Sequence, residues 1–484
     1  MNYKMMGRLG AWMLAVEAVF MIPAVFVSLG YGETRAANAF LISIAIILAI
    51  AGILAILSRN ATRDFYAREG LICVGASWIL MSALGCLPFV ISGAIPNYID
   101  AFFEIVSGFS TTGATIIPDL DVIPRGILYW RSFSNWLGGM GVLVFLLAIV
   151  PVGGKNEGYT MHLLRAESPG PDVGKLVPRM RQTAAMLYIS YIALSAINLF
   201  FLLIGDMPLF DAVCAMFSTA GTGGLAIKND SFASYSPYLQ NVTTVFMLLF
   251  GVNFSCYYLL ILRQFRAIIK DEELRLYFGI VIASTMLIAL NIYTMFGNVA
   301  DSLRHAAFQV SSIITTTGFA STDFDLWPSL SHGIIVVLMI FGACAGSTGG
   351  GLKIARLLLL VKSLKRNIAQ ILRPQRVTVV WVNGKTVDEK VLANTNAYFV
   401  VYMIILFASM LLISPDGFSL TTNLTAVLSC FNNIGPGLDA VGPTCNFSGF
   451  SAFSKIILSF DMLAGRLEIF PILLLFNPNA WKRG

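Results

Sequence analysis

Charge is scarce in this chain. Of its 484 residues only 12% are Asp, Glu, Lys or Arg, while 57% are hydrophobic; a soluble domain carries about 25% charged residues. That excludes an ordinary water-soluble fold. Histidine is scarcer still: His162, His305 and His332 stand alone, and nothing has the spacing of a metal-ligand set. The seven cysteines are scattered singly. Cys73, Cys86, Cys214, Cys256 and Cys344 lie in apolar segments and read as small buried hydrophobes. Cys430 and Cys445 flank a loop on one side of the membrane and would be able to pair in an oxidising compartment. No activated nucleophile or acid–base cluster is present, which argues against a multi-pass enzyme. The longest polar stretches, near 153–181 and 373–390, are too short for a soluble nucleotide-binding domain, so none that hydrolyses ATP is expected.

Apolar runs of membrane-spanning length are abundant. The first, Leu9 to Tyr31, follows Lys4 and Arg8 but is too long for a signal peptide and is followed by further spans. The chain therefore reads as an all-α integral membrane protein. A helix pair (1–68) precedes four units at 69–155, 156–265, 266–372 and 373–484. Each unit has a span, a short apolar helix and a second span. These second spans are expected near 128–152, 238–262, 331–370 and 452–476. The short helices are too short to cross a bilayer, so each must dip in and return, buried in protein or facing water.

Each short helix leads into a Gly-centred segment: Ser110-Thr111-Thr112-Gly113, Ser218-Thr219-Ala220-Gly221, Thr315-Thr316-Thr317-Gly318 and Asn432-Asn433-Ile434-Gly435. From Gly113 to Gly221 is 108 residues, from Gly221 to Gly318 is 97 and from Gly318 to Gly435 is 117. One such segment is noise, or a small-residue packing site in a membrane helix. Four at one period imply fourfold duplication. Backbone-lined loops meeting on one axis replace the water shell of a potassium ion, and four helix C-termini aimed at the membrane centre favour a cation there.

Charge placement orients the chain. Lys and Arg cluster between the units, with Arg35, Arg125, Arg131, Lys228, Arg304 and Lys455 the main exceptions. The positive-inside bias puts the linkers and both termini in the cytoplasm. Acids, among them Asp119, Asp211, Asp230, Asp325 and Asp439, gather around the outward loops. They would either concentrate cations at the mouth or serve as turn residues.

Two features lie at mid-membrane. The sequence GACAGSTGGG runs from Gly342 to Gly351 within the second span of the third unit. Glycine costs about 1 kcal/mol in a helix interior, so Gly346, Ser347, Thr348, Gly349, Gly350 and Gly351 should form a break, read as a flexible loop across the pore. No strand precedes it and the Walker spacing is absent, which excludes a phosphate loop. Arg466 lies in the last apolar run, where charge is expensive and usually functional; Asp461 and Glu468 are close by in sequence. Lys353 and Arg356, after the glycines, are expected at the cytoplasmic mouth. Glu17 is isolated in the first span.

At these residues the chain resembles the superfamily of potassium transporters that includes the bacterial Trk and Ktr membrane subunits and the plant and fungal Trk and HKT proteins. The resemblance covers the whole length, N-terminal pair included. It implies four helix–pore loop–helix units with pseudo-fourfold symmetry around one pore, in a homodimer with one pore per subunit, in a bacterial inner membrane. It implies a selectivity filter of backbone carbonyls from Thr111, Thr112, Thr219, Ala220, Thr316, Thr317, Asn433 and Ile434, with Gly113, Gly221, Gly318 and Gly435 setting the geometry. Relatives with Ser at the first of these glycines tend to pass sodium; Gly at all four implies potassium preference. Only one glycine per loop is shared with the TVGYG strand of ordinary potassium channels, which implies fewer ordered sites. The resemblance makes the segment 346–351 an intramembrane gate, with Arg466 an electrostatic barrier below the filter. It also implies a cytosolic regulatory ring of TrkA type that binds NAD and ATP or ADP. The chain itself is expected to hold no cofactor, no nucleic acid, and only potassium as cargo. Proton- or sodium-coupled symport is the alternative function, for which Glu17, Asp461 and Glu468 are the intramembrane acids available.

Overall fold

In the computed structural model the described residues are 2–59, 61, 67–139, 141, 180–375 and 378–481. The stretch 153–181 expected in the cytoplasm, including Lys155, Arg165, Lys175 and Arg179, falls largely outside them, as do Arg63, His162 and the second half of the span expected near 128–152.

Two long apolar helices, α1 (Tyr3–Gly30) and α2 (Thr34–Leu57), pack along one another. Their connecting turn presents Glu33, whose carboxylate accepts from the N–H groups of Arg125 at 2.6 Å and Gly126 at 3.0 Å. An acid at a helix N-terminus satisfies orphan donors and complements the dipole. The pair is thereby docked to α6 (Arg125–Gly139), the helix that follows the first loop.

The four units repeat one plan. Their leading helices are α3 (Ala67–Gly85) with α4 (Leu87–Ser92), α7 (Met180–Ile204), α12 (Glu272–Phe296) and α16 (Glu389–Ile413). Short helices follow: α5 (Tyr98–Phe109), α8 (Leu209–Gly221), α13 (Val299–Ile314) and α17 (Leu420–Phe431), of 12, 13, 16 and 12 residues. At about 1.5 Å per residue none crosses a core of about 30 Å. Asn97, Asn298 and Ser419 cap α5, α13 and α17 by accepting from a first-turn N–H, each worth about 1 kcal/mol. Among the described residues six helices are long and apolar enough to span a membrane, or seven if one bent pair counts as a span.

The second helices are α6, described to Gly139, α9 (Pro237–Phe250), α14 (Ser329–Ile340) and α18 (Ala452–Arg466). Against expectation α9 and α18 stop early, after 14 and 15 residues. The break after α14 is the Gly-rich one, and α15 (Ile354–Leu372) resumes beyond it. The span expected over 238–262 instead bends by 90° between α9 and α10 (Phe254–Ile261), which the short α11 (Phe265–Lys270) follows. Gly251 packs there against the Tyr277 hydroxyl and Thr315, and Asn253 caps the new helix through the N–H of Ser255. The last span breaks at Leu467–Ile469, before α19 (Phe470–Leu475), with Glu468 and Ile469 in the left-handed region at φ 59° and 66°. A hairpin, β1 (Trp381–Val382) with β2 (Lys385–Thr386), lies between α15 and α16. All seven cysteines are free; Cys430 is buried and Cys445 exposed, so the pairing considered for them is not formed.

Candidate functional site

The loops after the short helices share one local structure. In each, an N–H turns back to the carbonyl of a serine five residues earlier: Thr112 to Ser107 at 2.8 Å, Gly223 to Ser218 at 2.9 Å, Thr317 to Ser312 at 2.8 Å and Ile434 to Ser429 at 2.9 Å. The residue before that N–H has positive φ: Thr111 58°, Thr222 52°, Thr316 56° and Asn433 56°. A β-branched residue there is a true outlier that the surrounding structure must hold in place. The residue after it is a glycine of positive φ: Gly113, Gly224, Gly318 and Gly435.

The second loop therefore has a different register from the sequence reading. Thr219, Ala220 and Gly221 are the last turn of α8, and the loop residues equivalent to the other three sets are Thr222, Gly223 and Gly224. Gly221 is a packing glycine: a Cβ on it would lie 2.2 Å from the Asn135 carbonyl oxygen in α6. Three glycines in four residues made the register ambiguous. A signal was nonetheless present in the sequence, because a serine precedes each loop glycine by six residues: Ser107, Ser218, Ser312 and Ser429.

The four loops close on one another in a ring. A Cβ on Gly113 would sit 2.3 Å from the oxygen of Gly223, on Gly224 1.8 Å from that of Thr317, on Gly318 1.9 Å from that of Ile434, and on Gly435 2.9 Å from that of Thr112. Each glycine thus packs on the carbonyl preceding the glycine of the next loop, and the fourth returns to the first. Only glycine tolerates both the positive φ and this approach. The outer segments are stitched in the same cyclic order. Leu120 donates to Asn229, Phe232 to Ala320, Asp439 to Asp325 and Phe447 to Thr115, at 2.8, 2.9, 3.1 and 2.8 Å. Carbonyls crowded around one axis are suited to hold a desolvated cation.

A buried ion pair braces the ring from behind. Arg131 of α6 donates to Glu104 of α5 at 2.5 Å and to the Ala226 carbonyl at 2.6 Å, while Glu104 also accepts from the Thr115 hydroxyl and the Ile116 N–H. Both residues are at most 2% exposed. The outer acids serve largely as scaffold: Asp100 pairs with Lys455, Asp301 with Arg304, and Asp211 accepts from Tyr235. The cavity above the four glycines is lined by Arg131 and Lys228 and, among the described residues, by no carboxylate. His305 is buried on α13, stacked on Phe296 and bonded to Ser321.

Beneath the ring lies the segment 341–353. A neck closes it, with Phe341 paired to Leu352 and the Gly342 N–H 2.8 Å from the Leu352 carbonyl. Its glycines press on the ends of the short helices. The Gly350 N–H donates to the Thr316 hydroxyl at 2.6 Å, and a Cβ on Gly350 would meet the Asn432 oxygen at 2.5 Å. A Cβ on Gly349 would lie 3.0 Å from the Thr315 oxygen. Thr348 bonds the Phe250 carbonyl, and Gly346 accepts from the Phe254 N–H across the bend between α9 and α10. Arg466, the last residue of α18, donates to the carbonyls of Thr348 at 2.7 Å and Gly139 at 2.6 Å, and also to that of Gly138. One guanidinium thus ties the fourth unit, the first unit and the Gly-rich segment together.

Lys353 and Arg356 differ from expectation, since both are buried. Lys353 folds back to the carbonyls of Gly349 and Gly350, and Arg356 pairs with Glu468 and lies over the Tyr398 ring. Helix ends and unpaired carbonyls draw them inward. Asp461 accepts from Ser409 at 2.7 Å, and Glu17 packs against Gly85.

Four re-entrant loops closed around one axis within a helical membrane domain define a cation transport protein. A family model described as TrkH, cation transport protein, matches residues 36–483, and the chain belongs to that family. It is 34% identical to the Trk system potassium uptake protein TrkH of Salmonella typhimurium over all of both chains. It is 32% identical to the Trk system potassium uptake protein TrkG of Escherichia coli, over 99% of each. The crystal structure of the potassium transporter TrkH from Vibrio parahaemolyticus superposes with a TM-score of 0.88 at 30% identity, covering all of both chains. Membership makes the chain a membrane transporter rather than an enzyme.

Proposed function

We propose that this protein takes potassium across a bacterial inner membrane through a channel-like pore, with its linkers and termini on the cytoplasmic side. The observation that carries the reading is the closed cycle of glycine–carbonyl contacts among Gly113, Gly224, Gly318 and Gly435. Thr111, Thr112, Thr222, Gly223, Thr316, Thr317, Asn433 and Ile434 supply the carbonyls, with Thr222 and Gly223 replacing Thr219 and Ala220. The Gly346–Gly351 segment and Arg466 form the gate below. The relatives are named as components of a Trk system, which supports a cytosolic partner of TrkA type as the bearer of NAD and ATP or ADP, acting on a homodimer. We assign the four units the bounds 69–155, 156–265, 266–372 and 373–484.

Proton- or sodium-coupled symport is the competing reading, and the acids favour it little. Glu468 is engaged by Arg356, and neither Glu17 nor Asp461 lines the cavity above the glycines. The test is flux of potassium, rubidium, sodium and lithium into liposomes bearing the purified protein, with and without a proton gradient. Uncoupled flux favouring potassium and rubidium is expected. Flux that requires a proton or sodium gradient would establish symport, and equal flux of all four ions would end the selective-filter reading.

A further inference from the structure

The Gly-rich segment is tied down at a point that neither Arg466 nor the ring accounts for. Glu273, in the first turn of α12, places one carboxylate oxygen, Oε1, 2.6 Å from the Ala345 N–H and 3.1 Å from the Ala355 N–H. These donors straddle Gly346–Gly351, one entering the segment and the other in the first turn of α15. The Ala355 N–H has no partner within its own helix, as first-turn donors do not. A single carboxyl oxygen accepting two backbone N–H bonds clamps both donors together.

The first turn of α12 is itself fixed from the cytoplasmic side. Asn383, at the tip of the β1–β2 hairpin, exchanges bonds with Glu272, donating at 3.1 Å and accepting at 2.9 Å, and its amide donates to Asp271 at 2.8 Å. Lys362 of α15 bonds both Glu272 and the Trp381 carbonyl. A continuous set of contacts therefore runs from the exposed hairpin through Asp271 and Glu272 to the neighbouring Glu273 and the two ends of the segment.

We propose that Glu273 is a positioning residue that clasps both ends of the gate segment closed, and that the hairpin tip at Asn383 holds the clasp in register. The inference rests on the reading of 346–351 as a gate. Glu273 touches no carbonyl of the ring, so it sets how often the pore opens and leaves its ion preference alone.

The experiment is rubidium flux in partner-free liposomes for the wild type, Glu273→Ala, Glu273→Gln, Arg466→Ala and Glu273→Ala with Arg466→Ala, each checked for folding by size exclusion and thermal melt. Glu273→Ala is expected to raise flux about tenfold, since leaving two buried N–H donors of the closed state unsatisfied shifts the balance by that order. Glu273→Gln, whose amide oxygen still accepts, falls between the two. The double variant leaks more than either single, up to the fully open limit, because both residues stabilise the same closed state, and the potassium-to-sodium ratio stays at the wild-type value. Asn383→Ala gives a smaller rise of the same kind. If Glu273→Ala does not fold, Ala355→Pro removes one donor in a helix first turn, where proline is tolerated, and must itself leak. A tight Glu273→Ala beside a leaky Arg466→Ala overturns the clasp and leaves the gate standing. Tight behaviour of both Arg466→Ala and a Gly346–Gly351 deletion overturns the gate and the clasp together. A changed ion ratio also overturns the clasp.

Discussion

The loop ring and the layer beneath it are built on opposite plans. Above, four segments of different sequence adopt one backbone path, joined by contacts that repeat in cyclic order. Side chains there vary freely, from Thr-Thr to Thr-Gly to Asn-Ile, because main-chain groups do the work. Below, no such cycle is seen among the described residues. The Gly-rich segment occurs once in the sequence, and the charged groups that hold it come from two units, Lys353 and Glu273 from the third and Arg466 from the fourth. Symmetry is kept where an ion would be surrounded and abandoned where a path would be opened or shut. Duplication supplies the first, and a single unit can specialise for the second only because all four belong to one chain.

The sharpest test of this contrast uses two glycines three residues apart. Gly224→Ser places a Cβ against the Thr317 carbonyl, and should abolish selective uptake or reduce it at least about a hundredfold, a loss of roughly 3 kcal/mol. Gly221→Ser collides instead with α6 and should lower expression and melting temperature, with the ion selectivity of whatever folds unchanged. Potassium and sodium flux beside a thermal melt distinguishes the two; matching selectivity defects in both would break the register assigned to the second loop. Next in size is the brace behind the ring. Glu104→Ala leaves Arg131 buried and unpaired, and breaking such a pair costs about 3–5 kcal/mol, read as a large fall in melting temperature.

Smaller effects are expected below and at the rim. Arg466→Ala, and deletion of Gly346–Gly351, should raise partner-free flux about tenfold, the size of a lost charge-assisted contact, while the ion preference set by the ring persists. The smallest concerns Asp439, whose carboxyl is held below the ordinary carboxylate range by the hydroxyls of Ser419 and Thr422. Because the folded value is lowered, its contribution is present above the unfolded value of about 3.9 and fades as acid carries the pH down through the folded one. The difference in melting temperature between wild type and Asp439→Asn should therefore shrink below about pH 4.

Much of this architecture was legible in the residues. Apolar run length exposes the N-terminal pair and the leading helices, since spanning a bilayer is a constraint on composition. The short helices follow from runs too brief to cross, and the break at 342–351 from glycine density. The other two breaks were hidden for a physical reason. Leu467-Glu468-Ile469 contains no glycine, yet two of its residues take left-handed dihedrals, held by contacts such as the Ile469 N–H on the Ala464 carbonyl at 2.7 Å. Hydropathy reports what a segment is made of and not the path it takes. The inward fold of Lys353 was hidden likewise, because its partners are carbonyls that sequence does not mark.

The ring has a handedness: every blade leans on the next in one sense only, as in an iris shutter. With all blades on one polypeptide, they can be notched one at a time, giving a graded series in which a single aperture carries one, two, three or four faults. How steeply transport falls along that series would measure how far the blades act in concert.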